Sequence, residues 1–79
     1  MQETRYILKQ KDADLFKALK GFTTDPKYAV SFMSLQDAKV AADFLRKKKN
    51  TTFTIKAANY GLLNNTWTFL SYHNSNNKN

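Results

Sequence analysis

Apolar and polar positions recur along this chain with two periods, one helical and one extended. Five apolar residues recur at spacings of three and four positions, which predicts a helix with one apolar face. These residues are Leu35, Ala38, Ala41, Ala42 and Leu45. Ser34 can cap the first turn of this helix, with Asp37 as a weaker partner in a capping box. Four consecutive cations follow the apolar run, where the helix dipole favours positive charge and where we expect the helix to end.

Four other segments have the composition and alternation of β-strands. They are residues 5–10, 28–32, 51–57 and 66–72. The third is the most regular, and it predicts Phe53, Ile55 and Ala57 on an inner face, with intervening polar residues outward. In the last segment, Trp67 and Phe69 share one face. Turn composition separates these elements at residues 11–14, 23–26, 59–61 and 64–65.

Residues 15–22 fit two structures. Phe16, Ala18 and Phe22 alternate as in a strand, whereas Leu15, Phe16 and Leu19, with Gly21 as a stop, fit a short helix. We favour the strand, because eight residues are marginal for a helix and a tight hairpin would give the first strand an immediate partner.

These elements predict an α+β domain over residues 1–72, with an antiparallel four- or five-stranded sheet and one α-helix packed on one face. Residues 73–79 are polar and predict a disordered tail. A chain of 79 residues without cysteine must rely on a small apolar core or on self-association. The absence of a leader and of a long apolar run predicts a soluble cytoplasmic protein that does not enter a membrane.

Charge narrows the choice of partners. Thirteen Lys and Arg against six Asp and Glu give a formal net charge of +7, which attracts polyanions. We predict a face that follows phosphates, formed by Arg46, Lys47, Lys48, Lys49, Lys9, Lys11 and Lys20, with Lys17 and Lys27 as further candidates. The alternative is that these cations satisfy the helix dipole and keep the surface solvated.

Aromatic residues are numerous, and a single helix covers only one face of a sheet. We therefore expect some rings on the other face to remain exposed, where they could stack on bases or anchor a protein partner. The candidates for such partner contacts are Tyr28, Tyr60, Trp67 and Tyr72. The alternative for each of these rings is simple packing in the core.

No enzymatic chemistry is predicted, because converging titratable groups are missing from the sequence. The one histidine, His73, lies in the predicted tail, and Asp43 is spaced for ordinary ion pairs with Lys39 and Lys47. Gly21 and Gly61 are isolated, so no phosphate-binding glycine loop is expected. We predict no catalytic residue, metal site or cofactor.

Two stretches resemble known families. Residues 29–45, AVSFMSLQDAKVAADFL, are similar to the third strand and second helix of an RNA-recognition motif, and residues 20–22, KGF, are similar to the start of its ribonucleoprotein signature. Residues 5–57 resemble small uncharacterised proteins of bacteriophages and mobile elements in low-GC Gram-positive bacteria. The second resemblance implies an accessory role in phage biology, including antagonism of a host defence or of transcription.

The leading hypothesis is a non-enzymatic binding module that contacts nucleic acid or a nucleoprotein through a basic face. The alternative is a phage-encoded inhibitor, comparable to an anti-CRISPR protein, that docks on a host protein through exposed aromatic rings or through an edge strand. A homo-oligomeric structural protein is a third possibility, because so small a core gains from burying more surface.

Overall fold

The computed structural model describes residues 1–74 and has an α+β architecture, as predicted. A five-stranded antiparallel sheet has the order β3-β2-β1-β4-β5. Its strands are β1 (Gln2–Gln10), β2 (Phe16–Lys17), β3 (Phe22–Thr23), β4 (Phe53–Leu63) and β5 (Thr66–Asn74). A short 3-10 helix spans Pro26–Tyr28, and the α-helix α1 spans Leu35–Lys49.

Strands β1 and β4 form the centre of the sheet. Their register runs from Gln2 opposite Gly61 to Gln10 opposite Phe53. The turn predicted at residues 59–61 is wrong, because these residues lie inside β4 and pair with strands on both sides. Gly61 allows a close approach and does not form a turn, since a Cβ atom on it would lie 3.0 Å from Leu70 Cδ1.

The β4–β5 hairpin closes at Asn64 and Asn65, where the turn was predicted. Both residues have positive φ angles, 52° and 64°, which asparagine tolerates better than most residues. Strand β5 continues to Asn74, so His73, which pairs with Ala57, belongs to the strand and not to the predicted tail. The remainder of that predicted tail, residues 75–79, lies outside the described residues.

Residues 15–23 form a small hairpin, which confirms the preference for strand over helix. Phe16 pairs with Lys9 of β1 and with Thr23 of β3. The prediction of one strand was too simple, because the chain reverses between β2 and β3. Gly21 supports this reversal with a φ of 69°, a conformation that glycine adopts without a steric cost.

The strand predicted at residues 28–32 is wrong. Pro26 begins the 3-10 helix, and the Asp25 side chain caps it by accepting a hydrogen bond from the Lys27 amide at 3.0 Å. The residues that follow make only isolated bridges, from Ala29 to Ala18 and from Phe32 to Tyr6. Proline fixes φ near the helical value, which favours the 3-10 helix over Pro26–Tyr28 and takes Tyr28 out of the predicted strand.

The helix α1 has the predicted boundaries. Ser34 Oγ accepts a hydrogen bond from the Asp37 amide at 3.0 Å, and Asn50 ends the helix in the left-handed conformation. The helix contacts β1 and β4, and Ala38 of the helix is fully buried. No helix in the described part of the chain is long and apolar enough to cross a membrane.

The opposite face of the sheet forms a second core instead of an exposed surface. Four buried residues make one cluster there, with Ala29, Trp67 and Phe69 packed against it, and they are Ile7, Phe16, Ala58 and Tyr60. The rings of Phe16 on β2 and Tyr72 on β5 are 5.4 Å apart. Flat strands three positions apart would separate these side chains by about 14 Å, so the sheet curls. We call this side the concave face and the other the helix face.

Candidate nucleic-acid interface

An open groove of about 370 Å³ lies where the β2–β3 hairpin meets the end of α1 and the start of β4. The hairpin, the last turn of the helix and the first strand residues all contribute to it. Its lining residues are Lys17, Gly21, Phe22, Leu45, Lys49, Thr51 and Phe53. We call it the basic groove, because it has an apolar floor and a cation on each of two neighbouring elements.

The apolar part of the basic groove is an aromatic pair. Phe22 and Phe53 stack with ring centroids 6.1 Å apart and planes inclined by 18°. Both rings lie on the helix face, because Phe22 is opposite Lys17 and Phe53 belongs to the alternate set of β4 that faces α1. Phe22 is 47% exposed, so its ring remains open to a ligand while Phe53 supports it.

Lys17 is positioned by the hairpin itself. Its Nζ donates hydrogen bonds to the carbonyl oxygens of Ala18 at 2.7 Å and Gly21 at 3.3 Å. The same nitrogen lies 5.9 Å from the centroid of the Phe22 ring. The charge is therefore held within cation–π distance of the Phe22 ring, where a cation and a ring can act on one ligand.

Lys49 reaches the basic groove from the last turn of α1. Helix-terminal cations are favoured by the helix dipole, and Asn50 ends the helix with a φ of 55° that redirects the chain into β4. A second, shallower depression adjoins this end, and Lys11 and Asp12 line it together with Asn50. The Lys11 amide donates to the Thr52 carbonyl at 3.0 Å, which fixes the β1 turn beside the helix end.

The predicted cations on α1 are not equivalent. Asp43 accepts from Arg46 at 2.6 Å and lies 3.3 Å from Lys47 Nζ, so these two charges are partly compensated. The hydrogen bond from Arg46, and then the one from Lys47, lower the pKa of Asp43 below its usual value. The predicted pairing of Asp43 with Lys47 forms, whereas Arg46 is the second partner in place of Lys39.

Lys48 and Lys49 have no carboxylate partner among the described ion pairs. Lys48 Nζ lies 6.0 Å from the Phe44 ring on the exposed side of the helix. Of the two, only Lys49 lines the basic groove.

Lys9, Lys20 and Lys27 occupy three different settings. Lys9 lies on the concave face, where its side chain is only 19% exposed and its Nζ is 3.8 Å from Asp14. Lys20 is exposed in the turn of the β2–β3 hairpin, next to Gly21. Lys27 lies 5.4 Å from the Tyr28 ring in the 3-10 helix, which contacts β5. The hairpin thus carries Lys20 beside the basic groove, whereas Lys9 and Lys27 lie elsewhere.

The four aromatic residues predicted for partner contacts divide into two pairs. Tyr60 is only 6% exposed and packs edge-on against Phe69, so its prediction as an exposed ring is wrong. Trp67 is half-buried, and the Arg5 guanidinium lies 5.6 Å from it and 4.9 Å from Tyr60. Burial raises the pKa of Tyr60 despite the Ser31 hydrogen bond and the nearby Arg5.

Tyr28 and Tyr72 keep exposed surface, 66% and 38% respectively. Tyr28 belongs to the 3-10 helix, whereas Tyr72 uses part of its ring against Phe16. Neither lines the basic groove, so the predicted cations and the predicted rings do not form one surface.

The aromatic pair that lies beside the cations is Phe22 and Phe53. The sequence patterns placed both residues in strands but did not predict them as site residues. One signal could have located it. If residues 15–23 form a hairpin, Lys17 and Phe22 fall opposite each other and share a face.

The chemistry of the basic groove is suited to binding. The described residues contain no group of three His, Cys, Asp or Glu side chains that could hold a metal ion. A cationic rim beside an open ring can bind a ligand that carries both an anion and a flat apolar group. Comparisons with protein-family models, curated proteins and solved structures find no match to this chain.

Proposed function

We propose that this protein is a non-enzymatic binding module that holds single-stranded nucleic acid in the basic groove. The observation that carries the proposal is that Lys17 and Lys49 line the same groove as the stacked pair Phe22 and Phe53. A nucleotide combines a phosphate with a flat base, and these are the two groups that the rim and the floor are suited to bind.

The phosphate contacts are supported by charge. Lys17 and Lys49 line the basic groove, and Lys11 lies in the adjoining depression at the same end of the molecule. Lys20 extends this basic end along the hairpin. A strand that follows this end would meet successive lysines, and each phosphate contact would release counterions into solution.

The base contact is supported by the exposed ring of Phe22. Stacking on an aromatic side chain requires a base with a free face, which a single strand offers and an intact duplex does not. A protein that recognises duplex DNA by its bases usually inserts a helix or a β-ribbon into the major groove. Here the proposed binding surface is the basic groove, a depression that can hold an unpaired base, which favours a single strand.

We place this activity in the cytoplasm of a bacterial host, as the resemblance to phage and mobile-element proteins implies. The alternative, an inhibitor that docks on a host protein through exposed rings, has less support. Tyr60 is buried and Trp67 is half-buried on the concave face, which leaves Tyr28 and Tyr72 as separate exposed rings.

Fluorescence anisotropy with a labelled mixed-sequence single strand of about 15 nucleotides tests the proposal. Affinity should fall steeply between about 50 and 200 mM salt. The double variant K17A/K49A should bind more weakly, and its slope of log affinity against log salt should be smaller by about 1.4, at about 0.7 per phosphate contact.

Phe22→Ala separates stacking from charge. Loss of one stacked base costs about 1–3 kcal/mol, so affinity should fall about 5-fold to 150-fold with little change in the salt slope. Phe44→Ala is the matched control, because this ring is 58% exposed on the far side of α1. Lys39→Ala and Lys27→Ala control for the overall charge.

Two results would overturn the proposal. One is the absence of binding at low salt. The other is an equal loss of affinity in the control variants and in the groove variants, since binding would then depend on total charge and not on this groove. Far-ultraviolet circular dichroism should show that every variant retains its fold.

A further inference from the structure

The second half of the described chain contains a long stretch without charge. No Lys, Arg, Asp or Glu occurs between Ala57 and Asn77, although the chain has thirteen basic and six acidic residues. In the structure this stretch includes the later part of β4, the Asn64–Asn65 turn and all of β5. All the residues of the basic groove lie outside it.

Strand β5 is the last strand of the sheet and pairs on one side only. Eight of its nine residues pair with β4, and no other strand of the described chain pairs with its outer edge. The 3-10 helix contacts β5, but none of its backbone hydrogen bonds within the described residues reaches that strand. At about 30 Å, β5 offers a long row of backbone donors and acceptors.

Edge strands usually carry features that prevent pairing with another chain. Lysine, proline, inward charge and short length are the common ones, and a bulge is another. Of these, β5 has only a bulge, where the pairing with β4 shifts beside Asn59 and Tyr60 and leaves Leu70 as the extra residue. The two strands at the opposite edge, β2 and β3, are two residues long.

Exposed apolar side chains occur on the same hairpin, with Leu70 on β5 and Leu62 and Leu63 at the end of β4. Leu63 is 54% exposed, Leu70 is 45% exposed and Leu62 is 37% exposed. Met1 lies next to them, because its carbonyl oxygen accepts a hydrogen bond from the Leu62 amide at 3.1 Å. The uncharged hairpin therefore combines free backbone groups with apolar surface that the fold leaves uncovered.

We propose that β5 pairs with β5 of a second copy of this chain, antiparallel about a two-fold axis, so that two sheets join edge to edge. Two-fold pairing places residues near the axis opposite their own counterparts. Any ionised side chain there would meet a like charge, which destabilises a strand pair. A charge-free edge is what self-pairing requires.

A different protein partner imposes no such requirement on the edge. A contact with an acidic partner would instead favour lysines along the edge strand. Lysines occur on other surfaces of this protein but not on β5. Net charge opposes self-association, because two copies carrying +7 each repel one another. Pairing through β5 keeps the two basic grooves at the outer edges of the joined sheet, where that repulsion is smallest.

Analytical ultracentrifugation over a range of protein concentrations tests this proposal. The mass should rise from 9.1 kDa toward twice that value. Added salt should strengthen the association, because it screens the repulsion between two cationic copies. Nucleic-acid binding should weaken under the same change, so the two proposals can fail independently.

Leu70→Lys places a charge near the middle of β5 and should raise the dimer dissociation constant about tenfold or more. Val40→Lys is the matched control, since it makes the same apolar-to-cationic change at a residue 58% exposed on α1. It should leave the dimer nearly intact. Circular dichroism should confirm that both variants are folded.

Amide hydrogen exchange on the unmodified protein provides a test that needs no variant. The amides of β5 should gain protection as the concentration rises, while those of α1 should not change. A mass that stays at 9.1 kDa at all concentrations would overturn the proposal, as would a dimer equally sensitive to Val40→Lys. Association that protects α1 instead of β5 would also overturn it.

Discussion

The two faces of the sheet are built from different kinds of side chain. The concave face packs large residues, including Phe16 and Tyr60, in edge-on aromatic contacts. The helix face buries one large residue, Leu8, together with two small ones, Ala38 and Ala57. Small residues let the helix approach the sheet closely but remove little apolar surface from water. Aromatic packing is therefore concentrated on the concave face.

This difference explains where the basic groove lies. It opens at the margin of the helix face, where Leu45 and Phe53 are only partly covered and an exposed ring costs the core little. On the concave face, by contrast, aromatic residues pack against one another. The proposed binding surface is thus separated from the aromatic core of the concave face.

The largest effect on stability should come from truncating an aromatic side chain of the concave face. Phe16 is 2% exposed, so Phe16→Ala should lower the free energy of unfolding by about 3–5 kcal/mol through lost burial and a residual cavity. Phe44→Ala, on the exposed side of α1, should change it by less than about 0.5 kcal/mol. Urea denaturation measures both, and similar losses would contradict the contrast between the faces.

Enlarging a buried residue of the helix should have a moderate effect on stability. Ala38 is fully buried, so Ala38→Leu should push α1 from the sheet and cost about 1–3 kcal/mol. Ala42 is the control, because it borders a depression of about 210 Å³ beside Ile55 and has room for a larger side chain. If Ala42→Leu were the more damaging change in thermal denaturation, the close approach at Ala38 would not be the limiting contact.

The smallest effect should appear at alkaline pH, on the concave face. Burial raises the pKa of Tyr60 above its ordinary value of 10.0, so the unfolded chain loses this proton first as the pH rises. The stability that depends on the neutral phenol is present below pH 10 and declines above it. Tyr60→Phe should lose less stability than the unmodified protein between about pH 9 and 11.

Melting temperatures measured across this pH range would provide the comparison. Tyr28→Phe is the matched control, because Tyr28 is 66% exposed. This variant should lose as much stability at alkaline pH as the unmodified protein does. If both variants followed the same curve, burial of Tyr60 would not contribute to the pH dependence.

The sequence predicted the local elements whose signals are local. The cap at Ser34, the apolar period of α1 and the Asn64–Asn65 turn depend on residues close in the chain, and each was located correctly. The predictions failed where tertiary contacts or proline decided the outcome. Residues 59–61 have turn composition but pair on both sides, and the 3-10 helix that begins at Pro26 includes Tyr28, the first residue of a predicted strand.

The candidate site could be predicted only in part. The cations of α1 were evident, but their neighbours depend on how the β2–β3 hairpin folds back toward the helix end. The burial of Tyr60 was not predicted, because nothing in local alternation predicts that the sheet curls. That curvature is visible only when residues far apart in the chain, such as Phe16 and Tyr72, meet.

Two consecutive residues of β1, Ile7 and Leu8, are both completely buried. Alternation along the strand sends one side chain into each layer, so a single peptide unit anchors both halves of the protein. Neither layer can open without disturbing the other, which makes unfolding an all-or-none event. Proteases should therefore cut this central strand only after the whole molecule has come apart, whereas its outer segments can fray locally.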